Sequence, residues 1–475
     1  MNPWVKVVAG PALCALAYSG ASALGVADVQ AATLAAAAWM LTWWIADAVP
    51  IAVTSLLPIV LFPALGIMPV QDATASYGSH YIFLFLGGFL IALALEKWHL
   101  HQRIALWVLA RAGHSRRRLV GAFMLATALL SMWISNTATT LMMLPIAMSV
   151  ISQVPASDDA SDRFPVALLL GTAYAANVGG LTTLVGTPPN VAMAGILAEQ
   201  TGIEVPFFGW MVMALPFGAA LLVVMYFLMT RWLVKTSDGA IGASGDWFQA
   251  ELRRLGAWGA AEKRLAWVFA GTAFLWVTRG PLNDAFGWAL TDTGIAMTGG
   301  LSLFLLPSGT RRGESVLQWT DAQRLPWEIL LLFGGGLTLA KSLADAGWIT
   351  FLAEGIAGTQ GWPWWAVAAV LTAIGLLLTE VMSNLALTVV FVPVVIQLAQ
   401  ALGLSPLLFA VPLTLASSCA FMLPMATPPN AIVFGSGRVT IRQMAGVGIW
   451  LNAVAIVFAV LLSLVVLRHW VEHIA

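Results

Sequence analysis

The sequence has little charge. Of 475 residues only 9% are Asp, Glu, Lys or Arg, against about a quarter in ordinary globular chains. A soluble fold cannot cover its surface with so few charges, and with 60% hydrophobic residues the solvent for this chain is lipid. The net charge is zero, from 22 basic and 22 acidic residues, which removes any compositional case for nucleic acid. Cysteine is nearly absent: Cys14 and Cys419 stand far apart in apolar stretches and make no disulfide framework. The six histidines, His80, His99, His101, His114, His469 and His473, have no zinc-ligand spacing. These absences leave an all-α polytopic membrane protein that is not an enzyme.

Apolar stretches near the roughly 20 residues a crossing needs follow one another closely. Val7–Val26, Ala31–Ile45, Ile51–Ile67 and Tyr81–Leu95 read as the first four spans. The start, with Lys6 and an apolar run ending near Ala21-Ser22-Ala23, has features of a signal peptide. The many spans that follow favour an uncleaved helix over residues 1–30. His99–Gly113 suits a helix lying along the membrane surface.

Leu119–Val154 is apolar but broken by Ser135-Asn136-Thr137-Ala138-Thr139-Thr140. It reads as a re-entrant hairpin whose polar tip is enclosed by protein or lines water. Phe164–Ala198 is interrupted at Gly186-Thr187-Pro188-Pro189-Asn190. Two consecutive prolines remove two backbone donors, so a broken helix is expected. Phe207–Leu233 closes a first unit, 31–233, and the polar segment 234–262 reads as a cytoplasmic connector.

The second unit, 263–475, repeats the plan. Leu265–Thr278, Gly294–Leu306 and Trp327–Leu343 are spans, Trp364–Ala399 is a second hairpin, and Leu407–Phe434 is broken at Ala426-Thr427-Pro428-Pro429-Asn430. Met444–Leu467 is the last span. The register supports a repeat. Gly87-Gly88 recurs as Gly335-Gly336 and Ser135-Asn136 as Ser383-Asn384, both at an offset of 248. Thr187-Pro188-Pro189-Asn190 recurs as Thr427-Pro428-Pro429-Asn430 at an offset of 240. One such tetrapeptide is a weak signal; three motifs in order are a strong one.

Counting about eleven crossings, five per unit after the first helix, makes the second unit start on the opposite face, so the repeats are inverted. Lys and Arg collect on the cytoplasmic side. With the N-terminus inside and the C-terminus outside, all but Arg279, Lys341 and Arg468 fall there. Inverted repeats with helices interrupted at matching positions point to a secondary transporter with its site near the midplane. Freed carbonyls and Ser, Thr and Asn oxygens suit a small hard cation such as Na⁺, while helix N-termini and amide donors favour an anion. One tip and one break per unit give two pseudo-equivalent cation sites.

The Ser-Asn-Thr tip, the paired Thr-Pro-Pro-Asn breaks, Trp43-Trp44 before a Pro-containing span and the Leu-Phe-Gly-Gly-Gly run at 332–336 resemble the divalent anion:sodium symporter family. The resemblance covers nearly the whole chain. It implies a homodimer in a bacterial inner membrane, with scaffold and transport domains working as an elevator. It also implies sodium-coupled import of a small-molecule anion, of which a C4-dicarboxylate is the first choice. One sodium site would use Ser131, Ser135, Asn136 and the loop at Gly186. The other would use Thr379, the carbonyl near Met382, Asn384 and the loop at Ala426. The spacing Ser131-x3-Ser135-Asn136 matches Thr379-x3-Ser383-Asn384. The anion would touch Ser135, Asn136, Thr137, Thr187, Ser383, Asn384 and Thr427.

One departure matters. Many dicarboxylate carriers of that family carry Ser-Asn-Thr in both halves, whereas the second copy here is Ser383-Asn384-Leu385. Leu385 lacks a hydroxyl, and a hydrogen bond to a charged group contributes about 1.5–3 kcal/mol. Citrate, sulfate or an anion with one apolar end stay open on this ground, and the sequence separately leaves exchange open beside symport. Glu380, four residues before Asn384, is expected to brace the second hairpin. A membrane-embedded enzyme would need a nucleophile with a base, or a metal, within the spans, and no predicted span holds a histidine in its middle. A channel is disfavoured by paired closed hairpins, which argue for occlusion.

Overall fold

The computed structural model describes residues 3–113, 115–153, 163–236, 244–310, 313–348 and 362–467. His114, Arg311, Arg312, Arg468, His469 and His473 lie outside that set. The described structure is helical, and an isolated bridge joins Pro307 and Ser315. The first helices are α1 (Pro3–Ala23), α2 (Asp28–Ala46), α3 (Ile51–Ser55), α4 (Leu57–Ala64), α5 (Val70–Ala75), α6 (His80–Lys97) and α7 (Leu100–Leu109). Next come α8 (Arg116–Ser131), α9 (Asn136–Gln153), α10 (Phe164–Gly180), α11 (Pro188–Thr201), α12 (Phe207–Phe227), α13 (Ser244–Arg254) and α14 (Ala260–Phe286). The remainder are α15 (Asp292–Leu305), α16 (Trp319–Ala322), α17 (Trp327–Asp345), α18 (Trp364–Thr379), α19 (Asn384–Ala401), α20 (Leu407–Ser417), α21 (Pro428–Phe434) and α22 (Ile441–Leu462).

Seven helices among the described residues are long and apolar enough to cross a membrane. Shorter apolar helices over 51–64, 164–180, 364–379 and 407–417 each contain or end at an interruption. The expected span 51–67 is two helices meeting at Leu56. The expected span 265–278 is the middle of a longer helix, α14, which ends where Gly287 takes φ 66°. That left-handed geometry suits a residue without a Cβ.

The connector 234–262 holds a helix the apolar runs did not show. α13 packs on α7 and buries Phe248. Arg103 of α7 fastens the same region. Its guanidinium donates to the carbonyls of Gly256 at 2.9 Å and Leu255 at 3.2 Å and pairs with Glu262 at 3.2 Å.

The recurring glycines sit at close helix crossings. A Cβ on Gly87 would collide with the backbone of Ala296, where α6 runs along α15. A Cβ on Gly335 would collide with the backbone of Ser55, where α17 meets α3. The interrupted elements pack across the two halves: α21 lies against α9 and α10, and α11 lies against α19 and α20. The motif residues of residues 119–201 and 364–434 thereby come to one region of the molecule.

Candidate functional site: two oxygen clusters at helix breaks

Each cluster grows from a helix that stops short and restarts. α8 ends at Ser131, and α9 begins at Asn136. Between them, Ser131 Oγ donates to Asn136 Oδ1 at 2.6 Å. In the second half α18 ends at Thr379 and α19 begins at Asn384, and Thr379 Oγ1 donates to Asn384 Oδ1 at 2.6 Å. The restart is secured alike in both. Thr140 Oγ1 donates to the Asn136 carbonyl at 2.8 Å, and Thr388 Oγ1 donates to the Asn384 carbonyl at 2.9 Å. Backbone-bonded Thr hydroxyls of this kind are common in helices, but the same pair at the same spacing in both halves is not a general helix property.

The second break in each half closes over the first. α10 ends at Gly180 and α11 begins at Pro188; α20 ends at Ser417 and α21 begins at Pro428. Proline is suited to the first helical turn, where the missing N–H has no partner to lose. The asparagine after the prolines holds the irregular backbone. Asn190 Nδ2 donates to the Thr183 carbonyl at 2.7 Å, to Leu181 at 3.2 Å and to Gly180 at 3.3 Å. Asn430 Nδ2 donates to Ala420 at 3.0 Å and Leu423 at 3.1 Å. Both asparagines are fully buried, and Oδ1 of each has no hydrogen-bond partner. A buried acceptor without a donor is costly in isolation. The same arrangement recurs in both halves, and around each amide nitrogen the break presents main-chain carbonyl acceptors.

The structure brings Ser131, Asn136 and Gly186 together. Gly180 packs on Asn136 Oδ1, and Gly186 packs on the Gly180 carbonyl, both closely enough that a Cβ at either glycine would collide. In the second cluster Thr379 Oγ1 lies 2.6 Å from Asn384 Oδ1 and 2.7 Å from the Ser417 carbonyl. A hydroxyl has one proton, so three oxygens share one donor there. Ala426 N donates to the Leu423 carbonyl, which also accepts from Asn430 Nδ2; these bonds place Ala426 in the second break and not against Thr379 or Asn384. Met382 N donates to the Leu378 carbonyl.

The expected anion contacts divide. Ser135 and Ser383 are exposed at the breaks, while Asn136, Thr137 and Asn384 are half-buried. Ser135 Oγ accepts from Ala138 N at 3.2 Å, whereas Ser383 makes no such cap. Thr187 and Thr427 are buried. Thr427 Oγ1 accepts from Asn177 Nδ2 of α10 at 3.1 Å, a bond that joins the halves directly. Leu385 is buried within the apolar core.

Glu380 is buried and holds the second break from beneath. Its carboxylate accepts the consecutive N–H groups of Phe421 at 3.0 Å, Met422 at 3.0 Å and Leu423 at 3.1 Å, and Asn452 Nδ2 at 2.7 Å. In the first half the corresponding residue is Met132, and there the main-chain carbonyl accepts from Thr183 Oγ1 at 2.5 Å. Sequence reasoning missed Asn177, Asn190, Asn430 and Ser417 as structural members of the site. The signal was an amide in the interior of an apolar helix for Asn177, and for the other two asparagines their recurrence directly after the paired prolines.

The family model for the sodium:sulfate symporter transmembrane region matches residues 5–472. The sodium-dependent dicarboxylate transporter SdcS of Staphylococcus saprophyticus is 37% identical over 466 residues, 96% of this chain and 90% of that protein. SdcS of Staphylococcus aureus strain USA300 is 38% identical over 445 residues, 90% of this chain and 84% of that protein. Two solved transporters share the fold at low identity. The Alcanivorax borkumensis YdaH transporter gives a TM-score of 0.58 at 16% identity, covering 84% of this chain and 88% of its own. The Neisseria gonorrhoeae efflux pump MtrF gives 0.57 at 12%, covering 86% and 85%. With the match spanning nearly the full length and the paired breaks in place, the chain belongs to the sodium:sulfate symporter family of divalent anion:sodium symporters.

Proposed function

We propose that this protein is a secondary transporter that imports a C4-dicarboxylate such as succinate or malate by sodium symport, and not an enzyme. The observation that carries the reading is the pair of matched oxygen clusters, Ser131–Asn136 and Thr379–Asn384, each beside an acceptor-rich break. One Na⁺ would be held by Ser131, Ser135, Asn136 and the Gly186 loop. A second would be held by Thr379, the carbonyl near Met382, Asn384 and the Ala426 loop. The cations would supply the positive charge that lets a dianion bind among these residues, none of which is basic. The anion would then be met by Ser135, Asn136, Thr137, Thr187, Ser383, Asn384 and Thr427, with α9, α11, α19 and α21 directing their N-terminal ends toward it.

The relatives named for sodium-dependent dicarboxylate transport support both the coupling ion and the substrate class. The reading includes a protein of the bacterial inner membrane, N-terminus in the cytoplasm and C-terminus outside. It is a homodimer whose inverted repeats, 31–233 and 263–475, form scaffold and transport domains and move as an elevator. The hydroxyl missing at Leu385 favours, as a second reading, an anion that is bulkier or apolar at one end, or sulfate. Two Na⁺ per dianion draw on the sodium gradient alone, since they move no net charge; three or more would also draw on the membrane potential, at about 2.3 kcal/mol per net charge per 100 mV.

The test is uptake of labelled succinate into proteoliposomes with an inward sodium gradient, with unlabelled malate, citrate and sulfate as competitors. Uptake that needs sodium and yields first to malate is expected. Equal uptake in choline would overturn the symport, and competition by sulfate alone would move the substrate to the second reading.

A further inference from the structure

The two oxygen clusters are held differently: Glu380 braces the second, and an aromatic stack anchored at Asp292 reaches the first. Asp292 opens α15 and, beside its ion pair with Arg279, holds two aromatic residues at once. Its Oδ2 accepts the N–H of Phe207, the first residue of α12, at 2.8 Å, and lies 3.3 Å from Nη1 of Arg279. Its main-chain carbonyl accepts Nε1 of Trp276 at 3.1 Å. The two residues so held stack on each other, ring centroids 4.1 Å and planes 14° apart. Trp133 lies against the pair, 6.0 Å from Phe207 and 6.3 Å from Trp276, with its plane within 11° of the Trp276 ring; Phe269 meets it edge-on at 4.9 Å. Trp133 stands in the four-residue break between Ser131 and Asn136, and the neighbouring Met132 carbonyl is tied to Thr183 in the other break.

A continuous chain of contacts therefore runs from Asp292 to the Ser131–Asn136 pair. The links are a charged hydrogen bond at a helix N-terminus, a ring stack, and a break whose Met132, Trp133 and Ile134 N–H groups bond back to the last turn of α8, so that a shift of the Trp133 ring is passed to the Ser131 end. The second cluster has no such clamp. The residue matching Trp133 is Val381, 64% exposed, and Met425 beside the second break is 76% exposed. The two sites differ in what fixes them, although their oxygens match.

We infer that Asp292 is a positioning residue for the first sodium site, acting through Phe207, Trp276 and Trp133 on the break that carries Ser131 and Asn136. This rests on the sodium-coupled reading above. It touches neither ion nor anion. Loosening it costs sodium affinity at one site, and the anion contacts on the same break, Ser135 and Asn136, are restored once sodium is saturating.

The test is the sodium-activation curve of succinate uptake in proteoliposomes for wild type, Asp292→Asn, Asp292→Glu and Trp133→Leu, with the KM for succinate taken at saturating sodium. Asp292→Asn and Trp133→Leu should raise the half-saturating sodium concentration by roughly three- to tenfold, the scale of a weakened charged hydrogen bond. The KM for succinate at saturating sodium should not move, and Asp292→Glu should recover much of the loss. A fall in maximal rate with an unchanged sodium half-saturation in both variants would overturn the inference, leaving Asp292 a stability residue. Should Asp292→Asn fail to assemble, Trp133→Leu and Phe207→Leu decide by the same readout. Sodium-independent uptake by the wild type would strike the symport reading first, and so separates the two failures.

Discussion

Ser131 and Thr379 differ by one methyl group, and each donates at 2.6 Å to an asparagine amide oxygen five residues on. That amide is the residue on which each cluster depends. Its Oδ1 is the acceptor the cluster is built around, and its carbonyl is fixed by a Thr one helical turn later. Asn136→Ala and Asn384→Ala are each expected to abolish sodium-dependent succinate uptake while the protein still reaches the membrane. Glu380→Gln keeps the shape but replaces one acceptor oxygen with a donor facing the N–H groups of residues 421–423. At least one buried amide then loses its partner, at about 1–3 kcal/mol, so a lower melting temperature in detergent is expected together with a higher sodium requirement. Leu385 is buried, unlike the half-buried Thr137 at the matching place. Leu385→Thr should change the order in which malate, citrate and sulfate compete with succinate more than it changes expression; an unchanged order removes Leu385 from the selectivity of the site.

At the scale of elements, the stops and restarts were legible because their causes are local. Two prolines cannot donate to a preceding turn, and Ser-Asn-Thr offers polar groups where an apolar span would have none. α11 and α21 accordingly begin at the expected prolines, whereas α10 and α20 stop earlier than expected, at Gly180 and Ser417, because the irregular backbone held by Asn190 and Asn430 extends back from the prolines. α13 was not legible, since a surface helix shows itself by periodicity and not by an apolar run, and what it buries is one side, with Phe248 against α7. Nor was the division of 51–67 into α3 and α4. The fastening of α7 to the start of α14 through Arg103 is equally invisible in sequence, because its partners Leu255, Gly256 and Glu262 lie more than 150 residues away. Arg103→Ala leaves Glu262 and two carbonyls without that donor, a loss of about 3 kcal/mol for a largely buried pair. The expected result is a clear drop in thermal stability with little change in the sodium half-saturation; an unchanged melting temperature would mean that the connector adds nothing to the fold.

For the whole molecule, the repeat was the most informative feature of the sequence, since equal offsets between motifs are visible without coordinates. What the offsets do not reveal is how the halves meet. The Asn177–Thr427 bond, the packing of α21 on α9 and α10, and that of α11 on α19 and α20 arise from tertiary contacts between segments some 200 residues apart or more. The unequal support of the two clusters, Asp292 and its ring stack on one side and Glu380 beneath the other, is equally a product of the assembled fold. The account as a whole claims that two matched clusters hold two sodium ions about one dianion. The most direct measurement is sodium binding to the purified protein by titration calorimetry in the presence of succinate, for wild type, Asn136→Ala, Asn384→Ala and the double variant. The prediction is two or more ions for wild type, a loss of binding in each single variant and none in the double. Sodium bound by the double variant as by the wild type would contradict it.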